Sequence, residues 1–257
     1  MKYLVYIDIL GFSNLVKENP EKVGWLYKTI NELNVHDHRA FKVIIFSDTI
    51  LVYSDFSCTT PDNHQYASMF AIEFTQDLFY RIAKEDLFFR AVIDYGDFTH
   101  ETLSRCEKFY GNALINCYNL EKEINCIGTF ITHEAAKHQT IFPMLAFSNS
   151  LYFVYFQQNY YRFSKEYNHP DAQHWNILYQ NDGAHYIARD MYLLKKVFKQ
   201  ARNNLNPRIR EKFIQYLEYH RMKFPWPLNV WEKNGFGMNK IMPSDKWANV
   251  YREIIHD

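Results

Sequence analysis

The stretch KYLVYIDILGFSNLV, residues 2–16, decides how the chain is read. From Lys2 to Ile7 it is an apolar run of strand length, rich in aromatic and β-branched side chains. The run ends on a carboxylate, Asp8, followed by Ile9, Leu10, Gly11 and Phe12. A carboxylate buried without a partner costs several kcal/mol or gives up its charge. Asp8 therefore calls for a partner: a side chain, a backbone cap or a metal ion. Gly11 permits a close backbone turn, and a helix starting beyond it would offer free N–H groups of the kind that bind phosphate.

A chain of 257 residues is either one large domain or a smaller one with an appendage. Apolar content of 47% and aromatic content of 18%, with only 8 Gly and 8 Pro, describe a folded globular protein. Basic and acidic residues balance at 29 each, which argues against a dedicated nucleic-acid binder. Cys58, Cys106, Cys117 and Cys126 show neither CxxC nor zinc-type spacing, so reduced thiols in a cytoplasmic protein are expected. No apolar run reaches the length of a membrane span. Only a short lead precedes the first strand and Asp8 interrupts it, so no signal peptide is expected.

Outward from the opening stretch, residues 3–8 predict a strand, and 12–17 and 21–33 predict helix. AFKVIIFSDTILVYS, 40–54, predicts two strands meeting at a tight turn on Ser47 and Asp48. A helix over 64–84, a strand over 87–96, a helix over 111–125 and a strand at IGTFIT follow, with Thr132 placed to cap a short helix. The order β-α-β-β-α-β-α-β is an α+β arrangement close to the ferredoxin-like split βαβ pattern. Texture changes after about residue 140. LYFVYFQQNYYRFS suggests two aromatic strands, and two amphipathic helices follow, the second opened by Pro207. FPWPLNVW reads as an aromatic, proline-containing loop. The expected division is a domain of residues 1–140 and a C-terminal extension of 141–257 with a β-hairpin and helices.

On this order Asp8 and Asp48 project at the same end of the sheet. Singly, Asp8 is more simply a helix cap and Asp48 a turn residue. Together they favour a metal, because two hard oxygen ligands plus substrate phosphates are the usual way a protein holds Mg²⁺ or Mn²⁺, and paired ions suit phosphoryl chemistry.

Four segments then match a known family in order. YIDILGFSNL resembles the DIxGF segment of class III nucleotidyl cyclases, and IIFSDTILVY resembles their hairpin with the second metal Asp. RAVIDYGDF is similar to their RxGIxxG strand, and YGNALINCYNLE to their GDxVNxAxRLE helix. The resemblance spans roughly residues 3–132, about half the chain, and the helix version and tail look most like pyrimidine cyclases of bacterial Pycsar anti-phage systems. It implies that Asp8, Asp48 and the Ile9 carbonyl hold two Mg²⁺ or Mn²⁺ ions. It implies that amides of Leu10, Gly11, Phe12 and Ser13 cradle a triphosphate whose α-phosphate is attacked by the ribose 3′-hydroxyl. Active sites of the family lie between two domains, so a homodimer is implied.

The departures are as informative. Ile44 and Lys108 stand where the family reads adenine with a Lys/Asp pair or guanine with a Glu/Cys pair, which favours another base. A protonated Lys108 could donate to the O2 of uracil or cytosine; as a surface residue it is equally a solvated Lys. Ile115 and Asn119 occupy the places of the family's transition-state Asn and Arg, with Asn112 and Asn116 close by. Losing a cation there costs orders of magnitude in rate. Arg90, Arg105 and Lys108 are the candidate replacements; Arg90 could instead pair with Asp86 or Asp94. The expected activity is cyclisation of UTP or CTP to a second messenger that acts on a separate effector, without nucleic acid or membrane; the alternative is a degenerate nucleotide-binding module.

HEAAKH misses the zinc-protease spacing by one residue, since His133 and His138 fall about 140° apart on a helix. His36, Asp37 and His38 form a second possible metal cluster, more simply read as an exposed loop. NGFGMNK has no strand–helix setting for a dinucleotide fingerprint. The basic helices of the tail read as packed helices with a solvated face.

Overall fold

An apolar run such as Tyr3–Ile7 suits a strand covered on both faces, and the first strand is one. A computed structural model of the chain describes residues 1–33, 39–157, 184–237, 249, 250, 252 and 254. They fall into two compact units, Met1–Tyr155 and Phe156–Asp257. In chain order the first unit comprises β1 (Lys2–Ile9), α1 (Phe12–Glu18), α2 (Pro20–Asn31), β2 (Phe41–Phe46), β3 (Thr49–Ser54) and α3 (Pro61–Ala83). It continues with β4 (Phe89–Gly96), β5 (Thr99–Thr102), β6 (Glu107–Tyr110), α4 (Asn112–Glu123), β7 (Gly128–Thr132), α5 (His133–Ala136), β8 (Met144–Ala146) and β9 (Leu151–Val154).

The main sheet runs β2-β3-β1-β4-β7-β9-β8, and β5 and β6 form a separate two-stranded ribbon. β1 is antiparallel to both β3 and β4, so β3–α3–β4 is a split βαβ unit with β1 between its strands. The α+β, ferredoxin-like βαββαβ core expected from the sequence is thus present, with α2 and α3 packed together over it. Tyr3, Leu4, Val5, Ile7, Val92 and Ile93 are wholly buried at its centre.

Register divides the sheet into two faces, because residues directly opposite in an antiparallel ladder point the same way. Asp8 stands opposite Thr49 and Arg90, and Phe46 also opposite Thr49. One row along, Tyr6 stands opposite Leu51 and Val92, and Ile44 opposite Leu51. Alternate residues face the other way. Tyr3 and Tyr95 meet His64 of α3, and Phe89 meets Phe79 of α3. α4 lies on the Asp8 face instead: its Asn116 bonds Asp94, and its Tyr118 packs edge-on to Tyr6. The helices of the βαββαβ core therefore share one face, and the helix after β4 takes the opposite one.

Helix starts follow local chemistry. Thr60 caps α3 through Asn63 N–H (3.3 Å), and Thr132 caps α5 through Ala135 N–H (3.2 Å), as its sequence position predicts.

The second unit contains α6 (Ala184–Asn203), α7 (Pro207–Lys223) and α8 (Pro225–Lys233). Ile187, Met191, Leu194 and Val197 recur at helical spacing along α6 and are buried. One expectation is corrected here. FPWPLNVW is helix, not loop, because Pro225 takes the first helical position, where no N–H is needed. The two units part between Tyr155 and Phe156, and β8 and β9 complete the main sheet beyond β7. The first strand of the expected aromatic hairpin is β9, whose described partners are β7 and β8; the second falls outside the described residues.

Candidate functional site

At the carboxyl end of β1 the backbone places the two expected aspartates side by side. Ile9 N–H donates to the carbonyl of Asp48 at 3.0 Å. Asp48 belongs to a two-residue turn joining β2 to β3, whose first residue, Ser47, takes the left-handed φ of 56°. Tyr27 of α2 donates to the Ser47 carbonyl at 3.1 Å and steadies the turn. Just beyond β1, Gly11 caps α1 at φ 74°, a conformation that strains any L side chain. The N–H groups of Gly11, Phe12 and Ser13 have no backbone acceptor among the described residues. That of Leu10 is committed to the Phe88 carbonyl at 2.9 Å, so only three of the four expected amides are free to meet an anion.

Asp8 has its side-chain partner in Arg90. The guanidinium Nη2 donates to Asp8 Oδ2 at 3.0 Å and contacts the carboxylate of Glu121, while Nη1 donates to the Ile124 carbonyl at 2.9 Å. Side-chain exposure falls from 22% at Asp8 to 15% at Arg90 and 8% at Glu121, so the cluster runs inward from the sheet end to beneath α4. No donor reaches Asp8 Oδ1 among the described residues. The alternative partners Asp86 and Asp94 are corrected: Arg90 takes Asp8 and Glu121. Asp94 is held by Thr132 (2.7 Å) and Asn116 (2.9 Å).

Tyr6 lies one row from Asp8 on the same face. Burial raises its phenol above the usual range, and a hydrogen bond to the Thr49 side chain partly offsets this. Ile44 shares this face, two strands away. Along α4, Asn112, Ile115, Asn116 and Asn119 lie on one exposed stripe, at the i, i+3, i+4, i+7 spacing of a helix face. Of these, Asn116 is tied to Asp94, and Ile115 is 60% exposed. Lys108 is not brought to Asp8. It pairs with Glu101 at 2.7 Å on the ribbon, and that contact raises its ammonium above the usual value.

Among the described residues no three His, Cys, Asp or Glu side chains converge as a metal-ligand group. A cation at Asp8 and Asp48 would therefore draw its other ligands from backbone oxygen, water or substrate. These are hard oxygen donors, which suit Mg²⁺ or Mn²⁺ and not zinc. His133 packs at a tilt against Tyr152 (4.3 Å) and His138 stacks on His64 (4.6 Å), so HEAAKH builds no shared metal site. His36, Asp37 and His38 lie outside the described residues. No disulfide forms among the described residues, and no described helix is long and apolar enough to cross a membrane.

No protein-family model and no curated protein matches the sequence. Among solved structures, the chain is similar to the adenylyl cyclase CyaB from P. aeruginosa, at 17% identity and a TM-score of 0.46, over 60% of this chain and 93% of that one. It is similar to the guanylyl cyclase Cya2 at 13% identity and a TM-score of 0.44, over 60% and 90%. A third is the monomeric guanylyl cyclase domain of the RhoGC fusion protein from the aquatic fungus Blastocladiella emersonii, at 15% identity and a TM-score of 0.46, over 60% and 93%. At such scores the function has to be argued from the residues themselves.

Glu121, Tyr6 and Tyr118 are the members of this face that sequence reasoning missed. Glu121 carried a signal, a carboxylate on the otherwise buried side of α4. Tyr6 carried none, being one aromatic residue in an apolar strand.

Proposed function

We propose that the chain is a nucleotidyl cyclase that closes UTP or CTP to the 3′,5′-cyclic monophosphate and releases pyrophosphate. The observation that carries this is the 3.0 Å bond from Ile9 N–H to the Asp48 carbonyl, which brings two carboxylate-bearing residues together beside a Gly11 turn with free amides. Asp8, Asp48 and the Ile9 carbonyl would hold two Mg²⁺ or Mn²⁺ ions. Bound there, the ions supply positive charge to the triphosphate and to the attacking 3′-oxygen. The amides of Gly11, Phe12 and Ser13 orient the phosphates. Arg90 holds Asp8 in place, Ile44 and Tyr6 offer an apolar wall on the same face, and Asn112 and Asn119 line the exposed stripe of α4.

The working form would be a homodimer. Phe46 (71% exposed), Ile115 and Tyr118 on this face, with Phe109 and Tyr110 on the ribbon, are the apolar side chains a second copy would cover. The choice of a pyrimidine rests on the resemblance and on Ile44 and Lys108, which match neither purine-reading pair. A cytoplasmic second messenger of anti-phage defence, read by a separate effector, is the corresponding role.

One observation favours a second reading, a catalytically degenerate nucleotide-binding module. Arg90 is occupied by two carboxylates and a carbonyl, so it is not a free cation for the transition state. The deciding experiment measures pyrophosphate and cyclic product with Mn²⁺ and each of the four nucleoside triphosphates. Product from UTP or CTP supports the cyclase; product from ATP or GTP alone rejects the base assignment. Nucleotide binding by a folded dimer without product supports the module.

A further inference from the structure

Asp8, Arg90 and Glu121 come from β1, β4 and α4, and all three meet at one nitrogen, Arg90 Nη2. A guanidinium with Asp8 alone would form a neutral pair. Its positive charge would oppose any cation approaching the same carboxylate, and at partly buried sites such charge interactions are several times stronger than in water. The second carboxylate changes this sum. Glu121 is only 6% exposed, and a carboxylate so buried is retained at a cost unless it is paired. Paired with Arg90, it brings the three groups to a net charge of −1, and the surplus lies at the exposed end, on Asp8.

We propose that Glu121 is a positioning residue of the Asp8 site: by taking up the charge of Arg90, it leaves the charge of Asp8 to a divalent cation. Arg90 then clamps Oδ2 from inside the fold without neutralising the group, and Oδ1, which no donor among the described residues reaches, is left for the ligand. The Ile124 carbonyl on Nη1 keeps the guanidinium at the end of α4 and prevents it from swinging into a bidentate grip on Asp8. This rests on the reading of Asp8 and Asp48 as ligands of a divalent ion.

The test uses the full chain and Mn²⁺ alone, with free Mn²⁺ followed by electron paramagnetic resonance and no turnover required. Wild type, D48N, E121Q, R90Q and E121Q/R90Q are titrated after a circular-dichroism check of folding. E121Q leaves an uncompensated guanidinium beside Asp8 and is expected to weaken Mn²⁺ binding on the order of tenfold. E121Q/R90Q removes both charges and is expected to recover binding to within a few fold of wild type, which a merely structural role for Glu121 would not produce. A folded E121Q that binds as wild type does, while D48N binds weakly, overturns the proposal and leaves the metal site standing. No Mn²⁺ binding by wild type, or none lost in D48N, overturns the metal site and the proposal together. If E121Q alone does not fold, R90Q against E121Q/R90Q decides. The cluster carries −2 in R90Q and −1 in the double variant, so R90Q binding more tightly than a double variant close to wild type supports the proposal, and equal affinities of the two variants overturn it.

Discussion

The two ends of β1 use opposite means to satisfy polar groups in one buried strand. At the carboxyl end Asp8 sits in a charged cluster with Arg90 and Glu121. At the amino end Tyr3 is wholly buried, its hydroxyl lies 3.2 Å from His64 Nδ1, and the rings of Tyr95 and His138 complete the cluster. Those groups hydrogen-bond and stack. Burial and then the neighbouring His138 ring lower the pKa of His64, with Glu134 opposing. On the proposed reading, the surplus negative charge of the first end serves a cation. The second end would resist one, since burial already disfavours a charge on His64. The same strand thus carries a charged end and a packing end.

The sharpest way to break this contrast is at the charged end. Asp8→Ala and Asp48→Ala are expected to lower cyclic-product formation by on the order of 10²-fold or more, measured at saturating Mn²⁺ and nucleotide. Arg90→Leu comes next. It leaves Glu121 buried without its cation and is expected to cost about 3 kcal/mol, read from the denaturant midpoint. A stability equal to wild type would mean that Glu121 finds another partner or is protonated.

A buried neutral histidine of the second unit sharpens the comparison. His220 Nδ1 bonds the Tyr216 carbonyl at 2.9 Å, its Nε2 lies 2.9 Å from the Gln157 amide, and burial lowers its pKa to about 4. The unfolded chain therefore binds a proton that the folded chain refuses between about pH 6.5 and pH 4. The stabilisation is fully present above that window and is lost as pH falls through it, by about 3 kcal/mol at most. His64 acts in the same direction, its contribution fading as pH drops below the ordinary histidine range. Melting temperature is expected to fall on acidification from pH 7 to pH 4.5, with a shallower fall in His220→Gln. An equal slope in the variant would assign the loss elsewhere.

The smallest effect belongs to the packing end. Tyr3→Phe removes one hydroxyl from His64 and is expected to cost about 1 kcal/mol, with no change in Mn²⁺ affinity. A changed affinity would show that the two ends of β1 are coupled.

Much of this was legible in the chain itself. Apolar runs bounded by turn residues mark β1, β3 and β4, because a central strand needs apolar side chains on both faces. Asp8, Ser47, Asp48 and Gly11 stand out because each interrupts such a run. The β5–β6 ribbon was not legible: THETLSRCEKFY has no apolar alternation, and its pairing is held by Tyr53–His100 and His100–Glu107 contacts. Nor was α8, where two prolines within three residues mask a helix start.

Sequence alone determined that a strand would end on a carboxylate beside a glycine turn, and that a second aspartate would sit at a hairpin tip. Both are local consequences of side-chain period and backbone freedom. Tertiary structure decided what Asp8 touches. Arg90 and Glu121 lie far along the chain, and only the strand register and the placement of α4 on the opposite face from α3 bring them to one point. Charge compensation acts through distance in space, so no local pattern of residues could have displayed it.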